Sequence, residues 1–340
     1  MRDAAIVAAA AVAALVPLPP AAVERFYSSS SYLIWQHGAT GLSNHVGIAL
    51  FDLLLVGVAG LWVVCAAADV RRGALRGVVR IVRRTIVWGA VIYLAFLASW
   101  GLNYRRVALA ERLALDRRAL TPDAARALTE RTVERVNALY APARAEGFPA
   151  GGIIDPRFAA AFDRAQRDLG AIRTAAPGRP KHTWLDLYFR RAVVDGMTDP
   201  FFLETLTASD LLPFERTFAV AHEWSHLAGY ANEGEANFVG WLTCLRGDEA
   251  QQYSGWLFLY SEAAATLPPA ERASVARRLD EGPRGDLRAI AARIARNESP
   301  RVADAGWRAY NQYLKANRVE GGTRSYGEVV SLVLGTRFRP

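Results

Sequence analysis

Residues 217–237 read TFAVAHEWSHLAGYANEGEAN, and this stretch decides how the water-soluble part of the chain folds. It holds H-E-x-x-H in a run without proline. Ala219, Val220, Trp224, Leu227 and Ala228 around the motif carry no charge, as a helix buried against a core requires. On such a helix His222 and His226 stand at i and i+4, one above the other, so that two imidazoles reach one Zn2+ at about 2.0–2.1 Å. Glu223 projects beside them, where its carboxylate deprotonates a water carried by the metal. With five His in 340 residues, chance supplies about 0.004 matches to this motif per chain of such composition, so coincidence explains it poorly.

A catalytic zinc takes three protein ligands and keeps one position open. No His follows His226, so the third ligand is expected to be a carboxylate. Gly229 lets the chain turn, and Glu233 and Glu235 open a second helix ahead of Phe238, Trp241 and Leu242. Two residues apart on a helix, the two carboxylates diverge by about 200°, and only one faces the metal. Glu233 is preferred because Asn237 stands at i+4 on its own face, where an amide braces a ligand; Glu235 is the runner-up. Tyr230, Tyr253, Arg324 and Tyr326 are candidate donors to an oxyanion, which such chemistry needs.

Outward from this stretch the chain divides into two parts. Apolar residues make up 52% and charged residues 22%, which excludes a disordered or fibrous chain. The apolar residues concentrate in three runs, 4–22, 46–68 and 85–102. About 20 apolar residues cross a bilayer core, so the second and third runs read as transmembrane helices. Pro17, Pro19 and Pro20 interrupt the first, which reads as a retained, broken helix in preference to a cleaved signal peptide starting at Arg2. The basic loop 69–84 carries six Arg against Asp69, whereas 23–45 has one Arg and no Lys. Loops rich in Arg stay in the cytoplasm, so 1–102 is a membrane region and 103–340 an extracytoplasmic domain. The same concentration of charge removes a nucleic-acid reading of the +8 total. Asp52, near the outer end of its run, reads as a hydrated interfacial acid. Cys65 and Cys244 are too few and too far apart for a disulfide framework or a Cys-rich metal site. No G-x-S-x-G, Walker loop or dinucleotide fingerprint is present, so serine hydrolase, NTPase and dehydrogenase readings have no support.

The soluble part reads as α+β, mostly helical, with one small sheet. Thr121-Pro122 starts a helix running to Ala145, and Asp155-Pro156 starts another through Leu169. Strand candidates cluster in 182–207: Trp184 to Phe189, Val193-Val194 and Phe201 to Leu203, with Gly196 and Asp199-Pro200 as turns. The segment 201–209 reads either as an edge strand available to an extended peptide or as ordinary sheet.

Glu233-x-x-Ala236-Asn237 after H-E-x-x-H resembles the E-x-x-A-[DN] pattern of gluzincins, as in membrane zinc peptidases of the CAAX-protease type, and Asn232-Glu233-Gly234 is similar to the N-E-G of zinc aminopeptidases. The six residues between His226 and Glu233 are far fewer than in those enzymes. A closer resemblance is to an uncharacterised family of bacterial membrane proteins placed in the zincin peptidase clan. It rests on Val23-Glu24-Arg25-Phe26-Tyr27-Ser28, Trp100-Gly101-Leu102-Asn103-Tyr104, the metal motif through Cys244, Tyr313-Leu314-Lys315-Ala316-Asn317 and Ser325-Tyr326-Gly327. That resemblance implies a multi-pass protein of the bacterial cytoplasmic membrane with a zincin-like domain and one zinc per chain. It names no substrate.

The reading reached is a membrane-anchored, zinc-dependent metallopeptidase-like hydrolase whose substrate is a peptide or protein of the cell envelope. Two alternatives stand beside it: a catalytically weak zinc protein serving envelope binding or assembly, and a zinc hydrolase of a non-peptide envelope bond. The arginine asymmetry makes the first testable prediction. A reporter fused after residue 102 reads as extracytoplasmic and one fused within 73–78 as cytoplasmic, and reversed signals overturn the orientation.

Overall fold

A computed structural model of the chain describes residues 1–317 and 328–338. Helices longer than one turn are numbered in chain order. The proline cluster breaks the first apolar run: α1 (Arg2–Leu15) stops there, and the chain resumes as α2 (Pro20–Asn44) after a bend of 109°. Residues Val23–Ser31 of α2 are wound as a π-helix. Among the described residues two helices, α3 (Leu50–Arg71) and α4 (Ala74–Ser99), are long and apolar enough to cross a membrane, or three spans if α1 and α2 count as one. The stretch 69–84 is therefore not a loop as expected, because α4 begins at Ala74 instead of Thr85. Only a tight turn at Arg72-Gly73 separates the helices, with Gly73 at φ 126°. Asp69 draws the arginines onto the helix, receiving Arg80 Nε at 3.0 Å and Arg84 Nη1 at 2.6 Å.

Beyond Trp100, α5 (Pro122–Glu146) and α6 (Pro156–Asp168) start at the expected caps. Thr121 Oγ1 accepts from the Ala124 amide at 3.1 Å, and Asp155 accepts from the Arg157 amide at 2.7 Å. The segment 182–207 departs from expectation. Trp184 to Phe189 is not a strand, because Thr183 Oγ1 accepts from the Leu185 amide and Asp186 pairs with Arg190 one turn on, giving α7 (Asp186–Ala192). Val193 ends that helix at φ 57°, so Val193-Val194 is not a strand either. Phe201 to Leu203 forms a turn, because the Asp199 carboxylate accepts from the amides of Phe201, Phe202 and Glu204.

The sheet uses three shorter segments, β1 (Pro180–Lys181), β2 (Gly196–Thr198) and β3 (Thr205–Thr207), in the order β1-β3-β2. β1 runs parallel to β3, and β2 antiparallel to it with Met197 opposite Leu206. Gly196, expected in a turn, thus opens a strand. The strand within 201–209 is central, and β2 is the edge strand next to the metal motif.

The chain continues through α8 (Pro213–Leu227), α9 (Glu233–Leu245), α10 (Glu249–Ala265), α11 (Pro269–Ala276), α12 (Glu281–Asn297), α13 (Pro300–Ala316) and α14 (Glu328–Gly335). The core lies between α5, α8, α9 and α10 around the buried Trp224, Phe238, Trp241 and Tyr253. It also takes in Tyr32 and Leu33 of α2 and Phe96, Leu97 and Trp100 at the end of α4, so one core runs across residue 102.

Polar contacts tie the start of α3 to the sheet. Lys181 Nζ and Glu204 Oε1, both fully buried, lie 2.6 Å apart. Glu204 also accepts from the Leu50 and Phe51 amides and from Ser43 Oγ, while Lys181 donates to the carbonyls of Ser43 and Ile48. Asp52 is not the hydrated acid expected. It is buried and accepts from Thr183 Oγ1 and the Trp184 amide. Removing one partner of a buried pair leaves a charge without compensation. Lys181→Met is expected to cost about 3–5 kcal/mol of unfolding free energy, measured by denaturation in detergent micelles. A loss under about 1 kcal/mol would show that the pair contributes little.

Candidate metal centre

The motif helix α8 begins with Pro213 at its first position and with Glu215 accepting from the Leu212 amide at 3.1 Å. It ends at Gly229, whose φ of 79° an L side chain resists. Asn232 then caps α9 by accepting from the Glu235 amide. The two helices approach closely at Gly240, where a Cβ would lie 3.0 Å from the His222 backbone nitrogen. Gly240 is seven residues on from Glu233 and shares its face, so this approach carries Glu233 to the two imidazoles.

The result is a triangle of ligand atoms. His222 Nε2 and His226 Nε2 are 3.1 Å apart, and Glu233 Oε2 lies 3.2 Å from the first and 3.5 Å from the second. Tetrahedral donors at 2.0–2.1 Å from one zinc stand about 3.3 Å from each other. Two imidazoles and a carboxylate are also a donor set of catalytic zinc. The residues therefore fit the metal in spacing and in chemistry.

The surroundings hold each ligand. His226 Nδ1 lies 2.7 Å from the Tyr230 carbonyl, so that nitrogen carries a proton, and Nε2, once it gives up its own, offers a lone pair to the triangle. Trp100 Nε1 donates to the His226 carbonyl at 3.0 Å, and its ring meets the imidazole edge-on. Tyr310 of α13 donates its hydroxyl to Glu233 Oε1, leaving Oε2 to the histidines. Tyr310 stacks on Tyr313, which meets Tyr104 and Phe96 edge-on, so α13 leans on the exit of α4. Glu223, fully buried, has Oε2 at 2.9 Å from Thr198 Oγ1 and Oε1 against Gly196, where a Cβ would lie 2.8 Å away. Buried Arg293 of α12 secures this edge strand by joining Asp195 at 3.0 Å to Glu215 at 2.9 Å.

Burial pushes the Glu223 carboxyl up from its usual range, against the pull of His222, His226 and Thr198. For His226 burial disfavours the charge, but the Glu233 carboxylate overrides it and raises the imidazole to about 9 in the metal-free chain. Burial likewise opposes ionisation of Glu233, and His226 and His222 hold it well below the carboxylate range.

The other candidates are placed as follows. Glu235 turns away from the triangle to accept from the Leu109 amide, and burial raises its carboxyl to about 7. Asn237 is buried one turn beyond Glu233. Tyr230 serves His226 through its carbonyl, with its ring under the Arg106 guanidinium at 4.8 Å. Tyr253 is not brought to the triangle: its hydroxyl donates to Asp286 at 2.6 Å, and its ring packs on Tyr140 and Phe148. Arg324 and Tyr326 lie outside the described residues. Sequence reasoning missed Tyr310, Thr198 and Trp100 as contacts of the site. Trp307, Tyr310 and Tyr313, aromatic residues spaced by three on one helix, carried a readable signal for the first.

The fold and the cluster together define a membrane-associated helical protein with a buried His-His-Glu triad beside a small sheet. The chain belongs to the family described as protein of unknown function (DUF3810), whose model matches residues 27–334. No curated protein and no solved structure matches it.

The metal-free cluster has a readable pH dependence. The raised His226 pKa contributes stability that is complete below about 6.5 and lost as pH rises through about 9. The depressed Glu233 pKa contributes stability present above about 4.5 and lost as pH falls. The unfolding temperature of chelator-treated protein should therefore fall relative to Glu233→Gln between about pH 6.5 and 9. Parallel profiles in that window would show that the pair is not coupled.

Proposed function

We propose that the protein is a membrane-anchored zinc hydrolase of the metallopeptidase type, with a zincin-like site on the extracytoplasmic side of a bacterial membrane. The observation that carries this reading is the triangle of 3.1, 3.2 and 3.5 Å formed by His222, His226 and Glu233, with Glu223 buried beside it. Zinc held there supplies Lewis acidity, polarising the scissile carbonyl and making water more acidic.

The chain's own residues do the rest. Glu223 accepts the proton of the attacking water at a carboxylate oxygen and returns it to the leaving nitrogen. Its raised pKa suits that exchange near neutral pH. Thr198 and Gly196 fix the carboxylate, so little reorganisation is needed at the moment of transfer. Tyr310 and the Tyr230 carbonyl keep the ligands in orientation. An extended peptide would pair with β2, the half-exposed edge strand beside Glu223. The outward placement draws support from the arginines, which lie at the turn between α3 and α4 and along the first three turns of α4, while the far end of α4 touches His226.

The test uses zinc content and hydrolysis together. His222→Ala or His226→Ala should strip the metal, Glu233→Ala should lose most of it, and Glu235→Ala should keep most of it. Glu223→Gln should retain zinc while hydrolysis of a quenched peptide library falls about 10²–10⁴-fold. A fully active Glu223→Gln enzyme, or a zinc-replete Glu233→Ala, would overturn these assignments.

A further inference from the structure

Helix α2 has two unlike faces. Tyr32, Gln36, Thr40 and Ser43, spaced by four, four and three, point into the protein. They bond the Leu227 carbonyl at 2.8 Å, the Ala176 carbonyl at 2.8 Å, the Leu203 carbonyl at 3.0 Å and Glu204 at 3.1 Å. On the opposite face Ile34, Trp35 and Leu42 are 65%, 47% and 62% exposed. A helix with one face so polar in its contacts and the other so apolar needs a second, apolar partner.

Three observations say what that partner is. First, α1 packs along α4, and the 109° bend after it is 19° beyond a right angle, so α2 runs nearly across the spans instead of along them. Second, both ends of α2 lie where spans begin and end. Near its start the Tyr27 hydroxyl donates to the Ala98 carbonyl at the end of α4, at 3.0 Å, and α3 starts six residues after α2 ends, at Leu50. Third, exposed apolar side chains also stand on α7 and its approach: Trp184 and Leu187 are 69% and 52% exposed, and the Trp184 amide donates to Asp52, in the first turn of α3. A residue bonded to the first turn of a span stands at the membrane boundary, where Trp is favoured.

We propose that the outer face of α2, with Trp184 and Leu187, rests in the headgroup-to-acyl boundary of the leaflet that α4 exits, so that the His222–His226–Glu233 cluster sits at headgroup level. The cluster follows because α8 ends on this shelf: the Leu227 carbonyl takes the Tyr32 hydroxyl, and the His226 carbonyl takes the indole of Trp100, the residue after α4. Interfacial helices of this kind sink about 5–10 Å into that boundary. The proposal does not depend on zinc or hydrolysis.

The test is depth-dependent fluorescence quenching of the full-length protein in phosphatidylcholine nanodiscs containing spin-labelled lipid. Single cysteines at Leu42 and Leu187 carry a small fluorophore, in a Cys65→Ser background in which buried Cys244 is left in place. Val56 in α3 and Glu134 in α5, both exposed, serve as the span and aqueous references. Because all four positions are at the surface, labelling leaves the core intact, and the unfolding temperature of each labelled protein is compared with the parent. Quenching at Leu42 and Leu187 by the shallow-labelled lipid at least about twofold above Glu134 is expected. Quenching no greater than at Glu134 overturns the proposal. So does burial of these labels against a second copy, seen as energy transfer between labelled chains without lipid quenching.

Discussion

An ionised carboxylate cannot be taken out of water without neutralising company, and Glu233 is buried with almost no exposure. That constraint organises the middle of the protein. Two imidazoles face one of its oxygens, and a tyrosine hydroxyl from a helix 77 positions away takes the other. Bringing these groups together sets α9 against α8 so closely that a Cβ at Gly240 would press on the His222 backbone at 3.0 Å. In the metal-free chain the charge is balanced by the proton that the raised pKa of His226 retains. A divalent cation would displace that proton, so metal affinity and proton release are linked.

The second organising contact lies at the membrane end. The Lys181–Glu204 pair is more than a buried ion pair, since Glu204 also receives the free amides that open α3. The first turn of a helix offers amide donors that need partners, and a carboxylate there is favoured. Glu204 precedes β3, and β3 carries β2, whose Thr198 holds Glu223. The start of a span and the proposed general base are thus joined through one strand pair.

Much of the site was legible because its information is local. The i, i+4 spacing of His222 and His226, the turn at Gly229 and the Glu233 carboxylate four residues after it all lie within 21 residues, and helical geometry does the rest. Divergence on a helix let only one of Glu233 and Glu235 face the histidines, Asn237 at i+4 favoured Glu233, and the structure turns Glu235 to the Leu109 amide. The helix starts at Thr121 and Asp155 were equally local. What sequence could not supply comes from distance or from competing side-chain bonds. Tyr310 has no tie to Glu233 along the chain, and Asp52 finds its partners 131 and 132 residues later. Trp184 to Phe189 has strand composition, but an Asp186–Arg190 pair and the Thr183 hydroxyl favour a helix, and Asp199 folds the next aromatic run into a turn.

Trp100 closes α4, and its indole is bonded to the backbone of His226. A helix of 26 residues is about 39 Å long, so a change in tilt of about 10° about its midpoint moves its end by about 3 Å. That displacement is comparable to an edge of the ligand triangle. Helix tilt answers to the thickness of the surrounding hydrocarbon. A change of tilt in α4 would thus be felt at the backbone of His226 through this indole, and in the core through Phe96 and Leu97, so that the membrane end of the chain and the His-His-Glu cluster form one mechanical unit.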